Sequence, residues 1–323
     1  MKLTPFLAAG ALAVVVPTLS WAQAGPELLL SPMEKGLRFD ANARAGFFFQ
    51  RDTQKFDGES VQLQRYNFDG RVRLYPDWEA DPRIGVTYSK LDLGRNVTGL
   101  QRQYDDLELS AGTGIAKYQG WVAGLVFGAG YAGSNAFGDG NAYFGTATLL
   151  VGRTFSENFD IGFALDYNGN RTFMPDTPLP GVVVHTKFPE YNFEASIGFP
   201  FTYGRWRPIE PLLLEVNFTF PDFVGARASY DIVKGVGVFA SLAERIDAYH
   251  DPDLENSSDR VIFYQKYVEA GLRASINDKF TILGALGYTF GQDFRYGFDT
   301  RDDHEITKIQ DGPYVRLEGQ FRF

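Results

Sequence analysis

The last ten residues, YVRLEGQFRF (314–323), alternate without a break to the final position. Val315, Leu317, Gly319, Phe321 and Phe323 occupy one set of alternate positions; Tyr314, Arg316, Glu318, Gln320 and Arg322 occupy the other. In a β-strand this puts the apolar side chains on one face and the charges on the opposite face. A strand that runs to the end of a chain needs a partner there, because a free edge leaves unpaired amides and carbonyls. The same period recurs upstream. In 37–50, Leu37, Phe39, Ala41, Ala43, Ala45, Phe47 and Phe49 oppose Arg38, Asp40, Asn42 and Arg44. Residues 66–75 and 191–199 repeat the pattern, with Asn67, Asp69, Arg71 and Arg73 on one polar face and Asn192, Glu194 and Ser196 on the other.

Nothing after residue 24 is apolar for the roughly eighteen residues a membrane-spanning helix needs. The chain therefore meets lipid through strands if it meets lipid at all. Its amino end reads differently. Lys2 precedes an apolar stretch from Phe6 to Leu19 and the small-residue pattern Ala22-Gln23-Ala24, the features of a secretory signal peptide cut after Ala24. The expected organisation is a signal over 1–24, a periplasmic lead-in over 25–36 with a small plug as the alternative, and one barrel domain over 37–323. With no cysteine, the chain has no disulfide framework, no thiolate metal site and no lipid-modified cysteine. A net charge of −9, more acidic still once Lys2 leaves, disfavours nucleic acid as a partner. No Gly-rich phosphate loop stands between a strand and a helix, and the sequence calls for no cofactor.

Short and long connections take turns along the chain. Turn-like pieces fall at 75–82, 117–120, 155–158, 207–210, 231–235 and 277–279, and longer polar stretches near 51–60, 93–104, 133–141, 169–189, 250–259 and 292–311. Tight turns at one end and long loops at the other are the layout of an outer-membrane barrel. The fold class expected is all-β, a transmembrane antiparallel up-and-down β-barrel. About fourteen strands are read, over 37–50, 61–75, 83–92, 104–116, 120–132, 142–154, 159–168, 190–205, 211–219, 223–231, 236–249, 260–276, 280–291 and 312–323. The count falls to twelve if 211–231 is not a hairpin in the wall.

The ending resembles the C-terminal signature of bacterial outer-membrane barrels, a terminal Phe after alternating apolar positions. The resemblance implies that Phe321 and Phe323 form an assembly signal read by the barrel-assembly machinery. It further implies a location in the outer membrane of a Gram-negative-type bacterium, with membrane lipid and lipopolysaccharide as surroundings. Residues 197–235 and 285–299 are similar to the later strands of an outer-membrane barrel family with no assigned function, which supplies no catalytic residues to carry over.

With the apolar faces outward, the polar faces line the lumen. Closure gathers a basic wall of Arg38, Arg44, Arg71, Arg73, Arg273, Arg316 and Arg322, opposite an acidic wall of Glu108, Asp160, Asp166, Glu194 and Glu215. Such a field would orient or sort small polar or amphipathic solutes, since the charges lining a lumen tune selectivity. The function expected is a passive channel or binding barrel for such a solute. In the alternative, the charges pair across the interior, plug it, and leave the loops to bind an external partner. A third reading is a lipid hydrolase using His250 with Ser257 or Ser258, although the spacing matches no hydrolase motif and no catalytic residue is assigned. Asp251, Asp253, Asp302 and Asp303 are loop oxygens of the kind that hold calcium or magnesium, in a spacing unlike an EF-hand.

Overall fold

A computed structural model describes residues 24–30, 33, 37–56, 58–75 and 80–323. The expected signal segment lies outside the described residues, apart from Ala24. Sixteen antiparallel strands form the wall. They are β1 (Phe39–Phe48), β2 (Gln64–Arg73), β3 (Arg83–Asp92), β4 (Gln103–Tyr118), β5 (Trp121–Gly133), β6 (Tyr143–Ser156), β7 (Phe159–Asn168) and β8 (Leu179–Phe188). The second half comprises β9 (Phe193–Gly198), β10 (Phe201–Ile209), β11 (Leu212–Thr219), β12 (Phe223–Val233), β13 (Val236–His250), β14 (Arg260–Asn277), β15 (Phe280–Gly297) and β16 (Gly312–Arg322). One further strand, His304–Ile309, pairs with the outer end of β15.

The terminal alternation now has its reason. β16 pairs with β1 in a continuous register from Asp40↔Arg322 to Phe48↔Tyr314 and closes the cylinder. Beyond that register the Phe323 carbonyl accepts from the amides of Arg38 and Phe39, and the Phe323 amide donates to Phe39. The last residue is therefore hydrogen-bonded. No open edge remains at this seam, as a spanning sheet requires. Leu109, Phe127, Phe163, Leu242, Leu272, Leu286 and Leu317 stand exposed on the outside, whereas Arg316, Glu318, Gln320 and Arg322 on the opposite face of β16 are buried. Tyr118, Trp121, Phe155, Tyr191 and Phe323 are exposed around the short-turn end, the position of an aromatic girdle. An apolar exterior on a sealed cylinder makes this a membrane-spanning β-barrel, located in the outer membrane. No described helix is long and apolar enough to cross a membrane.

The count of sixteen corrects the fourteen, and the twelve, read from sequence. Residues 211–231 do form a hairpin, β11 with β12. One missing strand is β8, read as loop because Pro175, Pro178, Pro180 and Gly181 crowd its start. The other arises because 190–205, read as one strand, is two, β9 and β10, hinged at Phe199-Pro200. The apolar period of Tyr191, Phe193, Ala195, Ile197 and Phe199 runs into the turn and hides it. Gly198 marks it: at φ 156° a β-carbon there would lie 1.9 Å from the Val182 carbonyl oxygen.

The wall is uneven. β14 and β15 have 18 residues each, while β9 has 6 and β11 has 8. The outer end is also pinched. β5 and β13 hold the fifth and thirteenth of sixteen places, on opposite sides, yet the Ser134 amide donates to the His250 carbonyl at 3.1 Å. Tyr104 of β4 lies against Tyr249 of β13, ring centres 5.0 Å apart. Below them Arg65 of β2 reaches Asp247 of β13 at 2.6 Å. On one side of the pinch the loops turn inward and bury Val61, Leu63, Leu93, Val97, Leu100, Ile306 and Ile309 against Phe48, Phe263 and Phe294. This is an ordinary hydrophobic core inside a barrel.

Candidate functional site

Closure brings the predicted arginines to one sector, and the sequence places a carboxylate beside nearly all of them. Arg44 pairs with Asp69, and Arg273 with Asp231. Arg71 pairs with Asp40 at 3.3 Å and Arg73 with Asp81 at 2.6 Å. Arg316 meets Glu269 at 2.7 Å and also Glu318; Arg322 lies 3.9 Å from Asp40, and Arg227 lies 3.9 Å from Glu318. Arg38 stands exposed outside β1. The paired arginines are buried, which for charged groups requires such partners. They form a cross-linked network in place of a bare basic surface. The partners Asp40, Asp69, Glu269 and Glu318 occupy the same inward period as the arginines, so the signal was present in the sequence.

The predicted acidic residues separate. Asp166 of β7 is held by Arg171, and Glu194 of β9 lies 3.9 Å from His185. Glu215 of β11 is buried, and Asp160 near the inner end of β7 is half-buried. Glu108 of β4 faces a chamber inside the wall that opens to solvent. Asp106, Asp222, Tyr88, Phe144, Phe220 and Arg245 share that chamber. Within salt-bridge distance of Asp106 or Glu108 there is no basic side chain among the described residues. The Thr146 hydroxyl donates to Glu108 at 2.9 Å.

Two segments outside the wall bound this chamber. Residues 24–30, in the stretch expected as a lead-in or a small plug, fold against the inner wall with a short helix, Glu27–Leu30. The Gly25 amide donates to Ser110 Oγ of β4 at 3.2 Å, and Thr219 Oγ1 of β11 donates to Glu27 Oε1 at 2.8 Å. Arg83 donates to the Leu28 carbonyl at 2.8 Å. The segment thus bridges walls seven strands apart. Burial pushes the Glu27 carboxyl up to about 8, against the lowering effect of its hydrogen bonds.

The second segment, 169–178, crosses the outer mouth above the low wall. Arg171 is 1% exposed and donates to the Asp166 and Thr177 carbonyls as well as to the Asp166 carboxylate. Arg260, 2% exposed, donates to Asn170 Oδ1 at 3.2 Å, to the Arg171 carbonyl at 3.1 Å and to the Phe298 carbonyl at 2.7 Å. Asn170 donates to the Ala248 carbonyl of β13, and the Thr172 amide donates to Asp222 at 3.1 Å. The segment is a latched lid. In the sequence 169–189 has the character of an external loop, and nothing in its composition shows that it turns inward.

Asp251 and Asp253 both accept from Gln101, at 3.3 and 2.6 Å. Asp303 accepts from Arg295 and Tyr264, and Asp302 from the Asp299 amide. Among the described residues no group of three His, Asp or Glu is arranged to hold a metal ion. His250, Ser257 and Ser258 line another cavity with Arg260, but no hydrogen bond joins the His250 ring to either hydroxyl among the described residues. A base must reach the proton it removes. Replacing His250 with alanine is therefore expected to leave phospholipid deacylation by the purified barrel at its parental level, read by release of labelled fatty acid.

No protein-family model matches the chain, and no curated protein does. Among solved structures, the Acinetobacter baumannii outer membrane protein Omp33 matches at 10% identity, over 89% of this chain and 98% of its own, with a TM-score of 0.36. The COG4313 outer membrane channel of Pseudomonas putida F1 matches at 10% identity, over 90% and 97%, with a TM-score of 0.38. OmpT of Vibrio cholerae matches at 11% identity, over 89% and 99%, with a TM-score of 0.28. At these values neither solute nor mechanism transfers from those proteins to this one.

Proposed function

We propose that the protein is a passive conduit or binding barrel for small polar or amphipathic solutes, and that cationic or zwitterionic solutes are favoured. The observation that carries this reading is the chamber. Asp106 and Glu108 face it without a basic partner among the described residues, while the arginines on the other side are neutralised. A cation entering it gains attraction from Asp106 and Glu108 beyond what Arg245, itself paired with Asp247, supplies, and an anion meets repulsion. Aromatic side chains from Phe144 and Phe220 would receive the apolar part of an amphipathic solute.

The test is the reversal potential of the refolded barrel in a planar bilayer under a potassium chloride gradient. A cation preference is expected, and the Asp106→Asn, Glu108→Gln double variant should lower it. An anion preference in the parent protein would sink the reading. A second reading, a plugged barrel whose loops bind a partner, is favoured by the hydrophobic core on the far side of the pinch. Persistent electrical silence of a correctly folded barrel would select it.

A further inference from the structure

The chamber floor holds an imbalance that the wall does not explain. Glu27 is 3% exposed, and Glu108 of β4 lies beside it at Gly25. A β-carbon built on Gly25 would sit 3.3 Å from Glu27 Oε2 and 3.8 Å from Glu108 Oε1, and the Gly25 N–H is within reach of the Glu108 carboxylate. No described Lys, Arg or His side chain forms an ion pair with either carboxylate. Buried carboxylates without a cation are costly, and two close together repel each other as well. The backbone nitrogen of Gly25, beside Glu108 and two residues before Glu27, is the one that follows the Ala22-Gln23-Ala24 cleavage pattern.

We propose that processing after Ala24 leaves a free α-ammonium on Gly25, which docks between Glu27 and Glu108 as the chamber's resident cation and fixes residues 25–30 across the lumen as a tethered plug. The covalent step is hydrolysis of the Ala24–Gly25 peptide bond by the export peptidase. Water supplies the hydroxyl to the Ala24 carboxylate, and the new amine takes up a proton. Ser110 Oγ, 3.2 Å from the Gly25 nitrogen, accepts a hydrogen from it, and the two carboxylates accept the others. With an uncharged nitrogen, burial holds Glu27 largely protonated at neutral pH; an ammonium beside it returns the carboxyl toward its ordinary range and raises the amine above its own usual value of about 8. A cationic solute competes for the same carboxylates, so the amino terminus also acts as an internal competitor. That last consequence rests on the proposed selectivity. The docking itself does not.

The experiment uses the processed protein purified from outer membranes. Mass spectrometry of the amino-terminal peptide should give Gly25 as the first residue; any other start overturns the proposal. The folded barrel is then acetylated with a limiting amine-reactive ester at pH 8, beside the heat-unfolded chain. At pH 8, raising the amine's pKa by one unit from about 8 cuts its reactive fraction about fivefold. Protection of at least that size is expected at Gly25 in the folded parent. It should be lost in the Glu27→Gln, Glu108→Gln double variant, whose folding is checked by heat-modifiable migration in gels. Should that double variant fail to fold, the single Glu27→Gln barrel is read for partial loss. An amine that reacts equally fast folded and unfolded, or protection that survives removal of both carboxylates, overturns the docking. Neither readout depends on whether the barrel conducts, so this result and the ion-selectivity result stand or fall separately.

Discussion

Replacing Arg316 with alanine is expected to destabilise the folded barrel by about 3–5 kcal/mol, the range for removing one member of a buried ion pair. Arg316 sits between Glu269 and Glu318, and both carboxylates are buried. Tyr314 and Ser241 add hydrogen bonds to Glu269, and these stay intact but carry no charge. Without the guanidinium, two acids face each other, and Arg227, 3.9 Å from Glu318, remains as a cation beside them. The temperature at which the barrel loses its compact gel migration should fall sharply. Adding Glu269→Gln to Arg316→Ala should recover part of the loss, because one orphaned charge is gone. A single variant that melts with the parent would mean that water already screens this network, and the interior would then have to be described as wet on that side.

Freeing the lid is the second large effect. Arg260→Met keeps most of the side-chain stem but removes the donors to Asn170, to the Arg171 carbonyl and to the Phe298 carbonyl. Hydrogen bonds from a charged donor contribute roughly 1.5–3 kcal/mol each, and about 1.4 kcal/mol is tenfold in an equilibrium. The ratio of open to closed channel in single-channel records should therefore rise at least about tenfold, with limited proteolysis cutting within 169–178. Acid adds a separate effect on the fold. Burial raises the Asp222 carboxyl to about 6, despite the Thr172 donors. The folded barrel therefore binds a proton there more tightly than the unfolded chain, whose carboxyl titrates near 3.8. This contribution to stability is complete below about pH 3.8 and is lost as the pH rises through about 6. Asp222→Asn should flatten the pH dependence of the melting temperature over that window. Unchanged gating in Arg260→Met with an intact barrel would remove the lid from the mechanism.

The parts of this molecule that could be read in advance are those written at period two. Val315 to Phe323 and Leu37 to Phe49 state their outward faces directly, and the need to satisfy the last strand's backbone implies closure. Even the arginine network was half visible, since Asp40 and Arg44, or Glu318 and Arg316, share a face. The hidden parts are of another kind. β8 begins under prolines that favour a loop, and the β9–β10 turn continues the apolar alternation through Phe199, so local pattern and chain path disagree there. The lid and the buried segment 24–30 are short and polar, and both look like solvated connections until the inner wall offers them partners.

Closure into a cylinder with a lipid-facing exterior is already implied by the amino-acid order, because alternation and the hydrogen-bonding demand of a strand edge are local properties. Which charges neutralise one another, and where space remains, emerges only in the folded barrel. Arg65 meets Asp247, and Ser134 meets His250, across the interior from strands far apart in the chain. Such contacts depend on how the wall is pinched and how high each strand stands, and that geometry emerges only when all sixteen strands close together.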